Sequence, residues 1–539
     1  MSALRTIATG WWLGAMLAQP ATAQMPARVE AALDRRLAGA SADSLWPAVR
    51  RLYEARAFKP GWIDSGGVVP GARELQRALE RARAEGLDPS DYPVSAVGAL
   101  IAGPPDSDSL AALDVSTTYA LLRYATDLTL GRVPPGLTDT MWSASVRRPD
   151  PVRLAAAGLE TGRVGKTLGS MSPAHPGATR LRAALETYRR IADRGGWPVV
   201  PTGYSLAVGV HGPRVRLLQR RLRETGDLVG GDSLDRFSQA IDSAVRRFQS
   251  RHGLAPDGIV GPLTLAALNV PAQQRVQELA LNLERWRWLP SDLGRRYIMV
   301  NAPAYTLALM DTGGLVATYP VIVGRKDWPT PIVSAALTEI VFNPRWNIPR
   351  SIALAEVIPA ERRASGYMAR EGIHVLSDTT DQARELDPDS VDWRGLTDSA
   401  FGMRLWMDPG PGNPLGRIRL AVPNRFNVAL HDTPDTALFA EPARTFSHGC
   451  VRVAGVINLA TTLAQELADW PGDSVQAALA TPEERHLRLP RPMPVHFVYW
   501  TAWVDPDGTV QFRPDEYGWD EELERAIQSR ARQQEANAR

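Results

Sequence analysis

The hydrophobic period changes at one point along this chain, and that change decides what the two sides can become. Before Arg295 apolar residues recur three and four apart, which is the stripe of a helix. After it they gather into short β-rich runs bounded by Gly, Pro or Asn. On the helical side Val29, Leu33 and Leu37 are spaced by four, and Leu75, Leu79 and Ala82 share a face that Gly86 ends. Leu121, Tyr124, Ala125 and Leu128 form another face before Gly131 and Pro134-Pro135. Leu181, Leu185 and Tyr188 form one more before Gly195-Gly196. No motif with chemistry lies in this stretch, so residues 24–205 read as a helical scaffold. On the other side the strand-like runs are 297–300, 305–309, 319–323, 340–342 and 418–422. At 539 residues the chain is too long for one core, and two to four domains are expected. The fold class is therefore multidomain α+β.

Between the two halves sits a compact module over 206–271. Val215, Leu218 and Leu222 mark its first helix, and Ile241, Val245 and Phe248 its second. Asp257-Gly258 and Gly261-Pro262 are turn sequences, and a short third helix covers 264–269. The Leu218-Gln219, Ala244-Val245 and Phe248-Gln249 pairs, with Gly253-Leu254, Asp257-Gly258, Gly261, Thr264 and Leu268-Asn269, resemble the small three-helix peptidoglycan-binding domain. The resemblance implies a wall-binding module without catalysis. Residues 272–294 read as a connecting helix with Val276, Leu279, Ala280, Leu283 and Trp286 on one face, stopped by Pro290.

Residues 344–410 interrupt the strands of the β domain, which is expected over 295–475. They hold a helical piece around 352–358 and an acidic polar stretch over 378–392, and read as a capping insertion. After Cys450 a helix is expected from about 454 to 467, with Ala460, Leu463, Ala464 and Leu467 on its face. Residues 476–539 read as a C-terminal extension packing on the β domain, with two strand-like runs around Asp505-Pro506-Asp507-Gly508.

The first residues read as an export signal. Arg5 precedes an apolar run over 7–18, and Ala21-Thr22-Ala23 fits a small-x-small cleavage site before Gln24. That run is shorter than the roughly 20 residues a membrane span needs. Net charge is only +2, which gives no argument for nucleic-acid binding. Cys450 is the only cysteine, so no internal disulfide can form, and an exported chain carries a free thiol into an oxidising compartment.

The thiol stands in Ser447-His448-Gly449-Cys450-Val451-Arg452, and His431 lies nineteen positions upstream. A thiol needs a base, and the base an orienter, to be a useful nucleophile near neutral pH. A strand ending in Val428-Ala429-Leu430 would fix His431. Gly449 permits close approach to the backbone, and the amides around His448, Gly449 and Cys450 can stabilise an oxyanion. A helix beginning just after the thiol would favour thiolate, as would Arg452. These parts suit acyl transfer through a thioester. A zinc site built from His431, Asp432, His448 and Cys450 is the competing reading, but no i,i+4 histidine pair or second cysteine supports it. No metal and no cofactor is expected.

His431 with the Ser447–Arg452 hexapeptide resembles the signature of the L,D-transpeptidases of bacterial cell-wall synthesis. The arrangement is similar to the large periplasmic members, with scaffold, wall-binding module and capped catalytic domain. Further matches are Phe342-Asn343-Pro344 through Trp346 to Pro349, and Pro409-Gly410-Pro411-Gly412-Asn413 with Leu415-Gly416. His431-Asp432-Thr433-Pro434 and Tyr499-Trp500-Thr501 also match. The resemblance implies that Cys450 attacks the third residue of a tetrapeptide stem, D-alanine leaves, and a neighbouring stem's side-chain amine resolves the thioester into a 3→3 cross-link. It implies His431 as base, oriented by the Asp432 backbone, and amides near Gly449 and Cys450 as the oxyanion hole. Ser447, His448, Arg452 and Trp346 would hold the stem. It also implies carbapenem sensitivity, a periplasmic location, and stem peptides and other wall-synthesis enzymes as partners. Ala429 replaces an aromatic residue that such proteins usually carry there, which bears on donor choice. Water, a free D-amino acid or a protein lysine are alternative acceptors for the same thioester. A catalytically idle wall-bound scaffold is the alternative from another class.

Overall fold

The computed structural model describes residues 24–538 apart from 40–44, 105, 136–141, 144–149, 231–234 and 381. The export-signal reading of residues 1–23 lies outside the described residues. The chain divides into two units. One comprises Met1–Thr129, Pro149–Ser172 and Ala531–Arg539, and the other Leu130–Arg148 and Pro173–Arg530.

The first unit is helical. Its core gathers Val29, Leu33, Leu52, Leu75, Leu79, Leu121 and Leu128. The helix Pro70–Glu80 runs into a tight turn that Gly86 closes at φ +75°, a left-handed position that suits glycine. Inside this core the Asp114 carboxylate accepts from the Tyr53 hydroxyl and from the N–H groups of Gly61 and Trp62. Three donors offset much of the cost of burying it.

In the second unit the helices Pro176–Asp193 and Ala272–Arg287 pack Leu181, Leu185 and Tyr188 against Val276, Leu279 and Leu283. The first of these falls within the expected scaffold, yet its apolar face is covered by the expected connecting helix. The three-helix module follows its expected pattern, with helices Pro213–Glu224, Gln239–Arg251 and Pro262–Asn269 around Leu218, Leu222, Val245, Phe248 and Leu268.

The rest of this unit is built on one sheet. Its strands lie in the order Ile418–Ala421, Leu430–His431, Val451–Val453, Gly314–Gly324, Thr306–Asp311, Arg296–Asn301, Arg485–Val498 and Ile332–Phe342. Ile332–Phe342 pairs back onto Ile418–Ala421, so the sheet closes on itself and those strands have no open edge. A short strand, Trp142–Ser143, joins Ile332–Phe342 in parallel. Leu309, Val323, Ile340, Leu420, Leu430 and Val451 belong to one core, and the helix Val456–Ala468 adds Leu459 and Leu463 to it.

The segment read as a C-terminal extension is different in kind. Arg485–Val498 is an inner strand, parallel to Arg296–Asn301 and antiparallel to Ile332–Phe342. Pro490 and Pro492 break its alternation and cannot donate to a ladder. The strand accommodates them with a register shift between Arg488 and Met493. Beyond it come the hairpin Ala502–Val504 with Val510–Phe512 and the helix Trp519–Ala538.

The capping insertion has its own small sheet, made of Trp346–Ile348, Ile373–Leu376, Glu385–Leu386 and Arg404–Met407. Ala353, Val357, Ile358, Met368, Val375 and Leu405 form its core. Part of the acidic stretch is therefore a strand, placed by pairing rather than by its own composition. Among the described residues no helix is long and apolar enough to cross a membrane.

Candidate active site

The histidine and thiol strands lie side by side in parallel, with Leu430 opposite Val451 and His431 opposite Arg452. Leu430 and Val451 point into the barrel core. Strand side chains alternate, so His431, Arg452 and Cys450 lie on the other face. Arg419 pairs with His431 from its far side and shares that face. Sequence residues far apart are thus brought together by register alone.

His431 is only 4 % exposed. Its Nδ1 donates to the Asp432 carbonyl oxygen at 2.6 Å. A carbonyl can only accept, so this bond fixes the proton on Nδ1 and leaves Nε2 with a lone pair. Burial lowers the pKa of His431 to about 4; the Asp432 carbonyl opposes the shift, and Arg452 and Arg419 add to it. The ring is therefore neutral at pH 7 and able to accept a proton. The Asp432 side chain faces elsewhere, accepting from the Arg417 N–H at 2.9 Å.

Cys450 keeps part of its surface open, and its Sγ lies 3.8 Å from the Asn427 carbonyl oxygen. Burial pushes the thiol above its usual range, while the Ala429 backbone, then Arg419 and Arg452, pull the other way. The expectation of a helix-stabilised thiolate is corrected here. The strand Val451–Val453 and Gly455 stand between the thiol and the first residue of the helix, Val456. The positive end of that helix is thus removed from the sulfur, and the thiol holds its proton at neutral pH.

The loop before the thiol is tied down from inside. The Ser447 hydroxyl donates to the Cys450 carbonyl at 2.5 Å and accepts from the Gly449 N–H at 3.2 Å. Ser447 is buried, and its hydroxyl closes the loop rather than lining a substrate rim. Gly449 sits at φ +104°, a conformation that favours glycine. Its carbonyl accepts from Thr330 Oγ1 at 2.9 Å, and Thr330 Oγ1 accepts from the Gly324 N–H at 2.9 Å. The Tyr517 hydroxyl donates to the Gly324 carbonyl at 2.7 Å. In a trans peptide the C=O and N–H point in opposite directions. Anchoring the Gly449 carbonyl on Thr330 therefore turns the Cys450 N–H the other way. Among the described residues neither the Cys450 nor the His448 N–H has a protein acceptor. The Gly449 N–H, expected among the oxyanion donors, is already taken by Ser447.

The remaining expected residues have other partners. The His448 ring bonds Glu356 Oε1 through Nε2 at 2.6 Å and meets the Trp328 ring edge-on. Arg325 reaches the same Glu356 oxygen at 3.3 Å. Glu356 sits in a π-helical turn of the cap, Ala353–Val357, so it ties the cap to the catalytic loop. Arg452 pairs with Asp435 at 3.2 Å. Trp346 is half-buried and packs against the cap's own core. Sequence reasoning missed Thr330, Glu356, Arg419 and Tyr517. Thr330 is marked only by the prolines beside it, and Arg419 only by a strand register that no local pattern carries.

Residues 295–476 match the family model described as an L,D-transpeptidase catalytic domain. Residues 211–268 match a "Putative peptidoglycan binding domain", and residues 47–185 a scaffold domain. A protein of Haemophilus influenzae named "Putative L,D-transpeptidase" is 32% identical over 247 residues, which are 46% of this chain and 49% of that protein. An "Uncharacterized protein in bpoA1 3'region" of Kitasatospora aureofaciens is 41% identical over 63 residues, 12% of this chain and 53% of that protein. The chain thus spans about half the length of the curated relatives it matches. A solved L,D-transpeptidase structure from Stackebrandtia nassauensis is similar at 14% identity and a TM-score of 0.22, over 56% of this chain and 96% of that one.

Proposed function

We propose, for a chain that carries an L,D-transpeptidase catalytic domain over residues 295–476 beside peptidoglycan-binding and scaffold domains, that it forms 3→3 cross-links in peptidoglycan through a thioester on Cys450. The observation that carries this reading is the neutral, Nδ1-anchored His431 on the strand beside the only thiol, on one face of the barrel.

The chemistry follows from those two groups. His431 Nε2 takes the Cys450 proton as the sulfur attacks the carbonyl of the third residue of a tetrapeptide stem. The negative charge on that oxygen is met by the Cys450 and His448 N–H groups. The proton passes to the departing D-alanine amine, and the acyl group remains as a thioester. The side-chain amine of a neighbouring stem then attacks the thioester, His431 takes its proton, and the thiol is restored. Because both groups are neutral before reaction, thiol deprotonation accompanies attack rather than preceding it. The cap tied down through Glu356 bounds the acceptor side. Export to the periplasm, carbapenem sensitivity and cooperation with other wall enzymes belong to the same reading.

Intact-mass spectrometry of the mature protein tests it, with a carbapenem and with a disaccharide tetrapeptide, beside Cys450→Ala. The expected result is a single acyl adduct on the wild type, none on the variant, and cross-linked dimers only where the adduct forms. A folded wild type that gains no adduct from either reagent sinks the reading.

A further inference from the structure

Arg419 is the one arginine of this face without a protein partner among the described residues. Arg452 is paired with Asp435, and Arg417 donates to the Leu479 carbonyl. Arg419 is half-buried on the strand Ile418–Ala421, directly opposite His431. A guanidinium out of full contact with water and without a counterion is costly unless something else supplies the charge. It also presents a planar fork of donors that matches a carboxylate in two places at once.

The strand order says where that carboxylate would lie. The thiol strand comes first, the histidine strand second and the Arg419 strand third. Neighbouring strands are about 4.8 Å apart. The acylated carbonyl therefore sits over the first, and the amine that leaves collects its proton over the second. The group attached to that amine extends toward the third. In a tetrapeptide donor that group is a D-alanine, with its carboxylate one carbon from the departing nitrogen.

We propose that Arg419 binds a carboxylate of the donor stem, and that the strand order assigns it the terminal D-alanine carboxylate. This rests on the transpeptidase reading above. Arg419 is then the residue that selects a free-acid tetrapeptide and holds the leaving residue in line with His431. The other carboxylate a stem can offer is on the side chain of its third residue, and the test separates the two.

The full mature chain is given three donors: the free-acid tetrapeptide, the same peptide with a terminal alaninamide, and the same peptide amidated on the third residue's side-chain carboxyl. Acyl-enzyme formation is followed by intact mass. For the wild type, terminal amidation is expected to lower kcat/KM about ten- to a hundredfold, the worth of a charged hydrogen-bonded pair. Amidation of the third residue should leave it nearly unchanged. Arg419→Gln should lose the same factor on the free acid and nothing further on the alaninamide, since the cycle closes only if the two groups meet. Arg419→Lys should recover part of the loss. Loss that follows the third-residue carboxyl instead overturns the terminal assignment. A wild type indifferent to both amidations, or an Arg419→Gln that slows all three donors equally, overturns the carboxylate role; the first of these needs no variant to fold. No acyl-enzyme from any donor removes the transpeptidase reading and this proposal with it.

Discussion

His431 stays neutral where an exposed histidine would begin to charge, and that has a pH signature in both stability and rate. Its pKa is about 4 in the fold, against an ordinary value of 6.5. As pH falls below 6.5 the unfolded chain takes a proton that the native ring refuses, so stability falls with pH until about 4, where both forms are protonated and the slope ends. The loss from this one group is on the order of 3 kcal/mol. Urea unfolding of the wild type should show that fall, and His431→Gln should flatten its share of it. In the same window kcat/KM should hold, with its acid limb near pH 4 and its alkaline limb above the ordinary thiol range; both limbs describe the pair rather than either group alone. An acid limb near 6.5 would mean that the ring is solvated in the working enzyme. The His431 and Cys450 pairing is legible in the sequence because each sits in a short, dense motif. Arg419 and Thr330 are not, because their place depends on which strand lies beside which, a non-local fact. The thiolate expectation failed for a related reason: the helix begins only at Val456, and the burial that raises the thiol is set by packing that no local pattern carries.

At the scale of elements, the strand Arg485–Val498 is the part of the fold least visible in the chain. Alternation is what marks a strand, and Pro490, Pro492 and Pro494 interrupt it. Its parallel neighbour Arg296–Asn301 is readable, since Ile298 and Val300 alternate cleanly. The matched catalytic region ends at residue 476, before this strand begins. A fragment covering 295–476 would lose Leu489, Met493, Val495 and Phe497 from the core, and would open ladders along Arg296–Asn301 and Ile332–Phe342. Exposed ladders of that kind invite aggregation. The expected outcome is that a 295–476 fragment shows no cooperative thermal transition, whereas one extended to 530 does. Circular dichroism melts of the two decide it, and a cooperative melt for the shorter fragment would mean that the inner strand is dispensable.

At the scale of the whole molecule, and within its second unit, the three-helix module is held to the barrel by buried contacts. Phe512, from the hairpin after the inner strand, is the common point. The module's His252 stacks on Phe248 at 3.8 Å and faces Phe512 at 5.4 Å. Tyr188 meets Phe512 edge-on at 5.7 Å, and the Arg275 guanidinium lies 4.4 Å over its ring. Beside them Arg513 donates to the Arg251 carbonyl, and Arg251 pairs with a buried Asp227. One aromatic side chain thus touches the module and both helices Pro176–Asp193 and Ala272–Arg287. Truncating a buried Phe costs about 3–5 kcal/mol. Here that cost falls on the junction, because the barrel core and the module core are separate clusters that do not contain Phe512. Phe512→Ala should therefore raise amide exchange over 213–269 while the strands 296–342 stay protected. Acylation of Cys450 by a small donor should be unchanged, because Phe512 belongs to a cluster separate from the barrel core that carries the thiol strand. Turnover of polymeric wall should fall, because a freed module no longer presents its ligand in a fixed place relative to the thiol. If exchange over 213–269 stays as slow as in the wild type, the junction is held by the Arg251, Asp227 and Arg513 contacts instead, and Phe512 only fills space between them.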